Sequence, residues 1–399
     1  MLGVARSVYG IAVYKWPDTG GEMEPLRVIS ADSHMTEPPD LWTTRLDQPF
    51  RDRAPRVVEN TEKPGHFFMA PGITPFPVAG GFSTGRSGEE LKKHLTRGYE
   101  AARPSGWDPI ERIKDQDIDG VRAEVIYTTL GLALFQLADA ELQQACFRVY
   151  NDWVAEFRSH DPKRLYPVAL ISLEDIPSAV KELERTAKLG LSGGMIWGAP
   201  PEDRPYYSPV YDPFWTAAQD LDMPLSLHVV TSRDNNTRVV MDRGSDGWVN
   251  QTAMRFVHLI HEVQKSLTSL IFGGVLARFP RLKIVSAESD IGWLAHYVQR
   301  LDHTYEKFGV MVEHPLPMKP SEYVRRQVWA TFQDDPIGAT NAAVFGEDNC
   351  MWASDFPHTD TTWPHSRKVI ERDFANVPTH ITHKIVYENA AKLYGIELD

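Results

Sequence analysis

Eight short apolar runs alternate with longer stretches of helical periodicity along this chain, and this alternation constrains its fold more than any other feature. It is typical of consecutive βα units, in which helices connect parallel strands. Eight units predict a closed α/β barrel, the (β/α)₈ TIM barrel, and no G-x-G-x-x-G turn follows the first run to favour a dinucleotide-binding sheet. The predicted strands lie at 26–31, 123–129, 165–171, 193–197, 224–230, 282–288, 328–332 and 349–355.

The chain is long enough for one such barrel with additions. A TIM barrel needs roughly 250 residues, whereas this chain has 399. We therefore assign residues 26–399 to a single barrel domain and residues 1–25 to an N-terminal extension. Residues 38–107 interrupt the pattern after the first predicted strand and are rich in proline, glycine and charged residues. Insertions of this length are commonly functional, so we predict a small lid over the barrel mouth, with a disordered excursion as the alternative.

The composition excludes several classes of function. The chain has 42 Lys and Arg against 54 Asp and Glu, a formal net charge of −12, which disfavours binding to nucleic acids and to anionic membranes. With two cysteines only, Cys146 and Cys350, a disulfide framework is not expected and a reducing cytoplasm fits best. No apolar stretch approaches the ~18–20 residues of a membrane span, and the first residues do not resemble a signal peptide. We expect a cytoplasmic homodimer with a small-molecule substrate.

Side chains of the types that bind metals end several of the predicted strands. The carboxyl ends of the strands in a parallel barrel meet at one mouth, where catalytic groups lie. Each residue alone has a structural alternative, since Glu288 fits a helix cap and Asp355 fits a turn. Together, however, the imidazoles and carboxylates suit a divalent cation such as Zn, Mn or Fe. The set comprises Asp32, His34 and Glu37 after the first strand, His228 on the fifth, Glu288 on the sixth and Asp355 on the eighth.

Several sequence motifs occur in the order found in a known family. The sequence resembles the amidohydrolase-2 family, whose members include aminocarboxymuconate-semialdehyde decarboxylase, γ-resorcylate decarboxylase and related hydrolases. The resemblance covers the chain from about residue 26 to its end, and it implies a metal-dependent enzyme on a TIM barrel. The motifs are Asp32-Ser-His-Met-Thr-Glu-Pro38 and the segments 119–127, 224–228, 273–275, 279–288, 354–358 and 388–394.

The resemblance also implies a ligand set for one or two ions, with Glu37 and Glu288 as additional ligands. Asp32 departs from the family, which often has the first histidine of a His-x-His pair there. Glu288 stands where many members carry a histidine that acts as an acid or base or binds a second metal. The ordinary pKa of glutamate, about 4.3, would need raising before this side chain protonated carbon well. The four implied ligands are Asp32, His34, His228 and Asp355.

The reaction that we expect is hydrolysis. A metal-activated water would attack the carbonyl of an amide, an ester, a thioester or a C–C bond between carbonyls. Asp355 would carry the proton, with Glu288 and His228 as further catalytic residues. The alternative is metal-dependent, non-oxidative decarboxylation of an aromatic or unsaturated carboxylic acid, in which an acid at position 288 protonates carbon. A binding protein with a degenerate site is disfavoured, because the set of ligand types is intact.

Four further residues are candidates for contact with the substrate. Arg255 and His258 lie in a predicted helix after the fifth strand, where solvated side chains are the alternative. Trp197 ends the fourth predicted strand, and tryptophan at such a position mostly packs. His358 follows Asp355 in the last loop of the barrel.

Overall fold

Parallel strand pairing dominates this chain, of which the computed structural model describes residues 5–6, 12–13, 26–59, 64–234, 256–313 and 315–398. The strands, in chain order, are β1 (Ala5–Arg6), β2 (Ala12–Val13), β3 (Ile29–His34), β4 (Arg56–Glu59), β5 (His66–Ala70), β6 (Ile73–Pro77), β7 (Ala123–Tyr127), β8 (Leu165–Pro167), β9 (Ala169–Leu170), β10 (Gly194–Ile196), β11 (Leu225–His228), β12 (Ile284–Ala287), β13 (Val328–Phe332) and β14 (Cys350–Trp352).

Two parallel sheets make up the barrel wall. Their strand orders are β3-β7-β8 and β9-β10-β11-β12-β13-β14, and β8 and β9 form one barrel strand interrupted at Val168. The wall closes between β14 and β3, where the N–H of Asp355 donates to the carbonyl of Asp32 at 3.0 Å and the N–H of His34 donates to the carbonyl of Phe356 at 2.6 Å. The predicted (β/α)₈ barrel is therefore confirmed.

The first barrel strand begins three residues later than the sequence pattern predicts. It spans Ile29–His34 and contains a polar run that looks like a loop in the sequence. All six residues are buried, and the hydroxyl of Ser30 lies 2.9 Å from that of Ser33 and 3.1 Å from that of Ser354. The strand tolerates these polar side chains because they hydrogen-bond to one another inside the barrel wall.

Helices follow most barrel strands, and aspartates begin several of them. The side chains of Asp108, Asp139, Asp175 and Asp335 accept hydrogen bonds from backbone N–H groups of the first turn, which stabilises a helix start. The predicted helix 248–278 lies partly outside the described residues. The α-helices are α1 (Leu41–Arg45), α2 (Gln48–Arg51), α3 (Gly88–His94), α4 (Pro109–Asp119), α5 (Gly131–Leu134), α6 (Ala140–Arg158), α7 (Ile176–Lys188), α8 (Asp212–Asp220), α9 (Ile260–Phe272), α10 (Val275–Arg278), α11 (Leu294–Phe308), α12 (Pro320–Gln327), α13 (Pro336–Phe345), α14 (Ser366–Asp373), α15 (Thr379–His383) and α16 (Asn389–Tyr394).

The insertion after β3 has secondary structure of its own in its described part. Strands β4, β5 and β6 form an antiparallel sheet, and α1, α2 and α3 flank it in sequence. The insertion contacts loops that follow barrel strands, since the hydroxyl of Thr84 donates to the carbonyl of Pro357 at 2.7 Å and the hydroxyl of Tyr99 donates to that of Glu37 at 2.6 Å. Among the helices of the described residues, none combines the length and the apolar character needed to cross a membrane.

Candidate metal centre at the barrel mouth

Six side chains from four barrel strands and the loops after them meet at the carboxyl ends of the strands. Nε2 of His34 lies 3.5 Å from Oδ1 of Asp32, 3.5 Å from Oε2 of Glu288 and 3.4 Å from Oδ1 of Asp355. Nε2 of His228 lies 3.4 Å from the same oxygen of Glu288 and 3.9 Å from Oδ1 of Asp32. We call the whole set the ligand cluster, and it consists of Asp32, His34, His228, Glu288, Asp355 and His358.

Within the ligand cluster, two overlapping groups could hold a metal ion. In each group, one ligand atom per residue lies within 4.8 Å of the others. The strands bring these atoms together from positions more than 320 residues apart in sequence. One group is His34, Glu288, Asp355 and His358, and the other is Asp32, His34 and His228.

Several buried ligand atoms have no hydrogen-bond partner, and this indicates whether the residues fit a cation. Among the described residues, five such atoms have no hydrogen-bond partner. Burying polar atoms without a partner destabilises a fold, and here carboxylate oxygens also face one another. A divalent cation would pair with all of them, so the residues fit one. The atoms are Oδ1 of Asp32, Nε2 of His34, Nε2 of His228 and both carboxylate oxygens of Asp355.

Backbone carbonyls hold two of the imidazoles in the orientation that a metal ligand needs. Nδ1 of His34 lies 2.7 Å from the carbonyl of Thr128, and Nδ1 of His228 lies 3.1 Å from the carbonyl of Val229. A carbonyl only accepts hydrogen bonds, so each Nδ1 carries the hydrogen. When the second ring nitrogen carries no proton, each Nε2 presents a lone pair to the cluster, as in metal-binding histidines generally.

Two of the carboxylates sit on strained backbone. Glu288 and Asp355 have φ angles of 51° and 53°, in the left-handed region that residues with a Cβ adopt rarely. Each directly follows the strand or loop that ends at the mouth, and the unusual backbone turns its side chain toward the cluster. Strain of this kind is concentrated at functional sites, so the backbone independently marks these two positions.

The electrostatics of the cluster favour bound positive charge. Burial, and then the negative charge of Asp355, raises the pKa of Glu288 to about 8. Burial raises the pKa of Asp355 well above its ordinary value, with the charge of Asp32 adding to it. Burial opposes the charged form of His228, but the nearby carboxylates of Asp32 and Glu288 outweigh it and raise that pKa to about 9. Burial lowers the pKa of His34, as do the neighbouring imidazoles. The metal-free cluster thus retains protons where a cation would otherwise sit.

Comparison with known proteins identifies the family. The family model described as amidohydrolase matches residues 34–396. The chain belongs to the amidohydrolase family. Its resemblance to that family, inferred above from sequence motifs, is confirmed. A γ-resorcylate decarboxylase from Polaromonas sp. strain JS666 is 24% identical over 298 residues, which cover 71% of this chain and 86% of the relative.

Solved structures of the same fold cover nearly the whole amidohydrolase-family chain. An amidohydrolase from Mycobacterium avium subsp. paratuberculosis K-10 superimposes with a TM-score of 0.74 at 21% identity, covering 94% of this chain and 100% of that one. A dihydroxybenzoic acid decarboxylase from Polaromonas sp. JS666, with bound manganese and the inhibitor 2-nitroresorcinol, gives a TM-score of 0.63 at 18% identity, covering 94% and 98%.

These matches favour one of the two predicted reactions. The named relative is a decarboxylase, so the comparisons support the alternative, a carboxy-lyase, better than the hydrolase that was the main prediction. The predicted divalent metal is consistent with a cluster in this chain that could hold an ion, and manganese is bound in the dihydroxybenzoic acid decarboxylase structure of the same fold. The predicted homodimer stays a prediction.

The structure places Glu37 outside the ligand cluster. Its carboxylate accepts hydrogen bonds from the hydroxyl of Thr128 and from three successive backbone N–H groups, those of Thr129 at 3.1 Å, Leu130 at 2.9 Å and Gly131 at 3.3 Å. Both oxygens are therefore occupied by the turn after β7. Sequence alone does not reveal this role, because Glu37 stands close to Asp32 and His34 in the chain.

The four predicted substrate contacts have different positions. His358 joins the ligand cluster, with Nδ1 at 3.0 Å from Oδ1 of Asp355. Trp197 is fully buried in the core, and His258 is exposed with its ring stacked on that of His261. Arg255 lies outside the described residues. Only the spacing Asp355-x-x-His358 at the end of the last barrel strand could have suggested His358 as a ligand.

Proposed function

We propose that this chain is a metal-dependent, non-oxidative decarboxylase of an aromatic carboxylic acid. The observation that carries the proposal is the set of buried, unpaired ligand atoms at the barrel mouth, beside a glutamate that reaches the same point. The decarboxylase among the relatives supports the reaction class, and the manganese in a structure of the same fold supports that metal, with Zn and Fe as alternatives. Asp32, His34, His228 and Asp355 would hold the ion.

The protein's own residues would orient the substrate and supply a proton. A divalent ion bound there would offer positive charge to a carboxylate and an adjacent phenolic oxygen. Without an ion, the carboxyl groups of the site would offer such an anion no comparable attraction. The cluster's position under the mouth, with four of its side chains at most 2% exposed, excludes bulk water from the reacting groups.

Glu288 is the acid in this proposal. Its side chain is 17% exposed, more than the other side chains of the cluster, and its Oε2 lies 3.4 Å from Nε2 of His228. It therefore stands at the accessible edge, where a substrate bound to the cluster would arrive. The carboxyl of Glu288 donates its proton to the ring carbon that bears the carboxylate. The bond to the carboxylate then breaks, its electron pair restores the aromatic ring, CO₂ leaves, and Glu288 regains a proton from water.

The insertion of residues 38–107 acts as the lid in this proposal. Its contacts support that position, because Thr84 and Tyr99 bond to Pro357 and Glu37, in loops that follow the last and the first barrel strands. The backbone N–H of Thr36 also donates to the carbonyl of Gly106 at 2.9 Å. These contacts connect the insertion to the end of the barrel where the ligand cluster lies.

Product analysis tests the proposal and separates it from hydrolysis. The manganese-loaded protein would be incubated with a panel of ortho-hydroxylated benzoates, and CO₂ and the arene would be quantified together. We expect equal amounts of both and, in D₂O, one deuterium at the carbon that lost the carboxylate. Chelator-treated protein is the control and should be inactive. Hydrolysis of esters or thioesters by the loaded enzyme, with no CO₂ from any carboxylate, would overturn the proposal.

A further inference from the structure

We infer that His358 is a further ligand of the cation that Asp355 holds, and that it binds through Nδ1. The inference rests on the metal site of the proposed function but not on the reaction. It depends on three features of the described residues, namely the hydrogen-bond partner of Nε2, the surroundings of Nδ1, and the turn that fixes both.

The hydroxyl of Thr129 determines which nitrogen of His358 carries the hydrogen. This hydroxyl donates to the carbonyl of Met35 at 2.5 Å, and it has only one hydrogen to give. It also lies 3.0 Å from Nε2 of His358, so there it accepts, and Nε2 is the donor. A neutral imidazole has one N–H, so Nδ1 of His358 presents a lone pair.

That lone pair faces a carboxylate. Nδ1 of His358 lies 3.0 Å from Oδ1 of Asp355, yet among the described residues this oxygen has no hydrogen-bond partner. Two acceptors at this separation repel each other unless a proton or a metal cation lies between them, and these two atoms do not meet the geometry of a hydrogen bond. The ring cannot easily turn away, because it stacks on the imidazole of His34 with 3.8 Å between centroids. The geometry therefore suits a cation that is shared by Nδ1 and Oδ1.

Glu37 holds the turn that orients both imidazoles. The turn Thr128–Gly131 supplies the carbonyl that fixes His34 and the hydroxyl that fixes His358. The buried carboxylate of Glu37 accepts from the backbone N–H groups of this turn. Glu37 is thus a positioning residue that acts through the turn, since it belongs to neither group of candidate ligands.

Counting the imidazoles on the bound metal tests the inference without any need for turnover. The apo-protein would be loaded with Co²⁺ or Mn²⁺, the nitrogen ligands counted by X-ray absorption or pulsed electron paramagnetic resonance, and the affinity measured by competition with a chelator. We expect three imidazoles in the unmodified protein and two in His358→Ala, with a loss of affinity of roughly 10²-fold or more. Loss of a residue that only orients a ligand lowers metal affinity roughly 10- to 100-fold, and loss of a ligand itself should lower the affinity at least as much as the upper end of that range. The matched control is His365→Ala, an exposed histidine in the same loop, which should change neither measurement.

A second pair of variants keeps the test decisive if His358→Ala folds poorly. Thr129→Val removes the acceptor that fixes the tautomer, whereas Thr129→Ser keeps it. We expect a loss of metal affinity of roughly 10-fold in the valine variant and near-normal affinity in the serine variant. An unchanged imidazole count in folded His358→Ala, or equal affinities in the two Thr129 variants, would overturn the inference. Decarboxylation by the unmodified protein is measured separately, so a failure of the proposed reaction leaves this result interpretable.

Discussion

Two clusters of buried polar side chains share the first barrel strand but differ in how their charges are paired. In the first, which we call the Arg112 cluster (Ser33, Arg112, Gln116 and Glu124), the guanidinium of Arg112 donates to Glu124 at 2.6 Å and to the carbonyl of His34 at 2.8 Å. Ser33 and Gln116 donate to the same carboxylate. In the ligand cluster, by contrast, carboxylate oxygens of Asp32 and Asp355 and the Nε2 atoms of His34 and His228 are buried with no hydrogen-bond partner among the described residues.

The comparison shows that the pairing of buried charged groups, and not the extent of their burial, distinguishes a binding site from a structural element. Arg112 and Glu124 are as deeply buried as Asp32 and Asp355, but the Arg112 cluster is neutral overall and its charged groups have partners. Such a cluster stabilises the wall between β3 and β7 and needs no ligand. The ligand cluster is complete only with a cation, so the two should respond in opposite ways to substitution.

A substitution in the ligand cluster should have the greatest effect on metal content and activity. His228→Ala removes one imidazole from the ligand cluster, and we expect loss of bound metal and a loss of kcat/KM of roughly 10³-fold or more. Such a loss corresponds to the several kcal/mol that a metal contributes to the transition state. Mass spectrometry of the metal content, alongside turnover, checks this. Full metal occupancy in the variant would remove His228 from the ligand set.

The variant Glu288→Gln should show the next largest loss of activity. It should lower kcat without lowering the free energy of unfolding. The variant keeps the size of the side chain but removes its proton and charge, so we expect kcat to fall by roughly 10²–10⁴-fold. The free energy of unfolding of the metal-free protein should stay equal or rise, because the folded chain no longer has to keep a glutamate protonated above its ordinary pKa. Measuring kcat and the unfolding curve of the same preparation checks both. Near-normal turnover with a lower stability would instead make Glu288 a cap of the following helix.

Arg112→Met tests the other cluster and should act on stability. It leaves the buried carboxylate of Glu124 without its cation, which costs about 3–5 kcal/mol of unfolding free energy. The double variant Arg112→Met with Glu124→Gln should recover a large part of this loss, since the unpaired charge is then gone. Urea unfolding of both variants measures the difference. Equal stability of the single and double variants would contradict the account of Arg112 as a charge partner.

The sequence predicts the barrel and most of the ligand cluster for the same physical reason. Strands buried on both faces are apolar runs, and parallel strands must bring their carboxyl ends to one mouth. The residues that follow the runs, such as His228, Glu288 and Asp355, could therefore be assigned to a common site. The start of β3 was harder to predict, because its polar residues are hydrogen-bonded within the wall.

What the sequence could not reveal is the pairing of each buried charge. Glu37 and Glu288 both follow barrel strands and carry the same side chain, yet one binds a backbone turn and the other faces two imidazoles. The distinction depends on the conformation of the loop after β7, which no local pattern specifies. The sequence does not decide between hydrolysis and decarboxylation for a related reason, because both reactions use the same ligand types and differ in what Glu288 protonates.

The smallest expected effect concerns pH, and it follows from the protons that the metal-free ligand cluster retains. The pKa of Glu288 rises from an ordinary 4.5 to about 8 in the folded chain, so its contribution to stability is fully present below about 4.5 and is lost as the pH rises through 8. His228, raised from 6.5 to about 9, acts in the same direction at higher pH. Each retained proton corresponds to about 1.4 kcal/mol per pH unit, so we expect Glu288 to account for a loss of about 2 kcal/mol of unfolding free energy between pH 6 and 8.

The variant Glu288→Gln should therefore lose about 2 kcal/mol less unfolding free energy than the unmodified metal-free protein between pH 6 and 8. Saturating Mn²⁺ should reduce the pH dependence of the unmodified protein, because the cation replaces the protons. Parallel slopes for Glu288→Gln and the unmodified metal-free protein would show that Glu288 is not protonated in the fold, and the distinction drawn between the two clusters would then rest on the metal measurements alone.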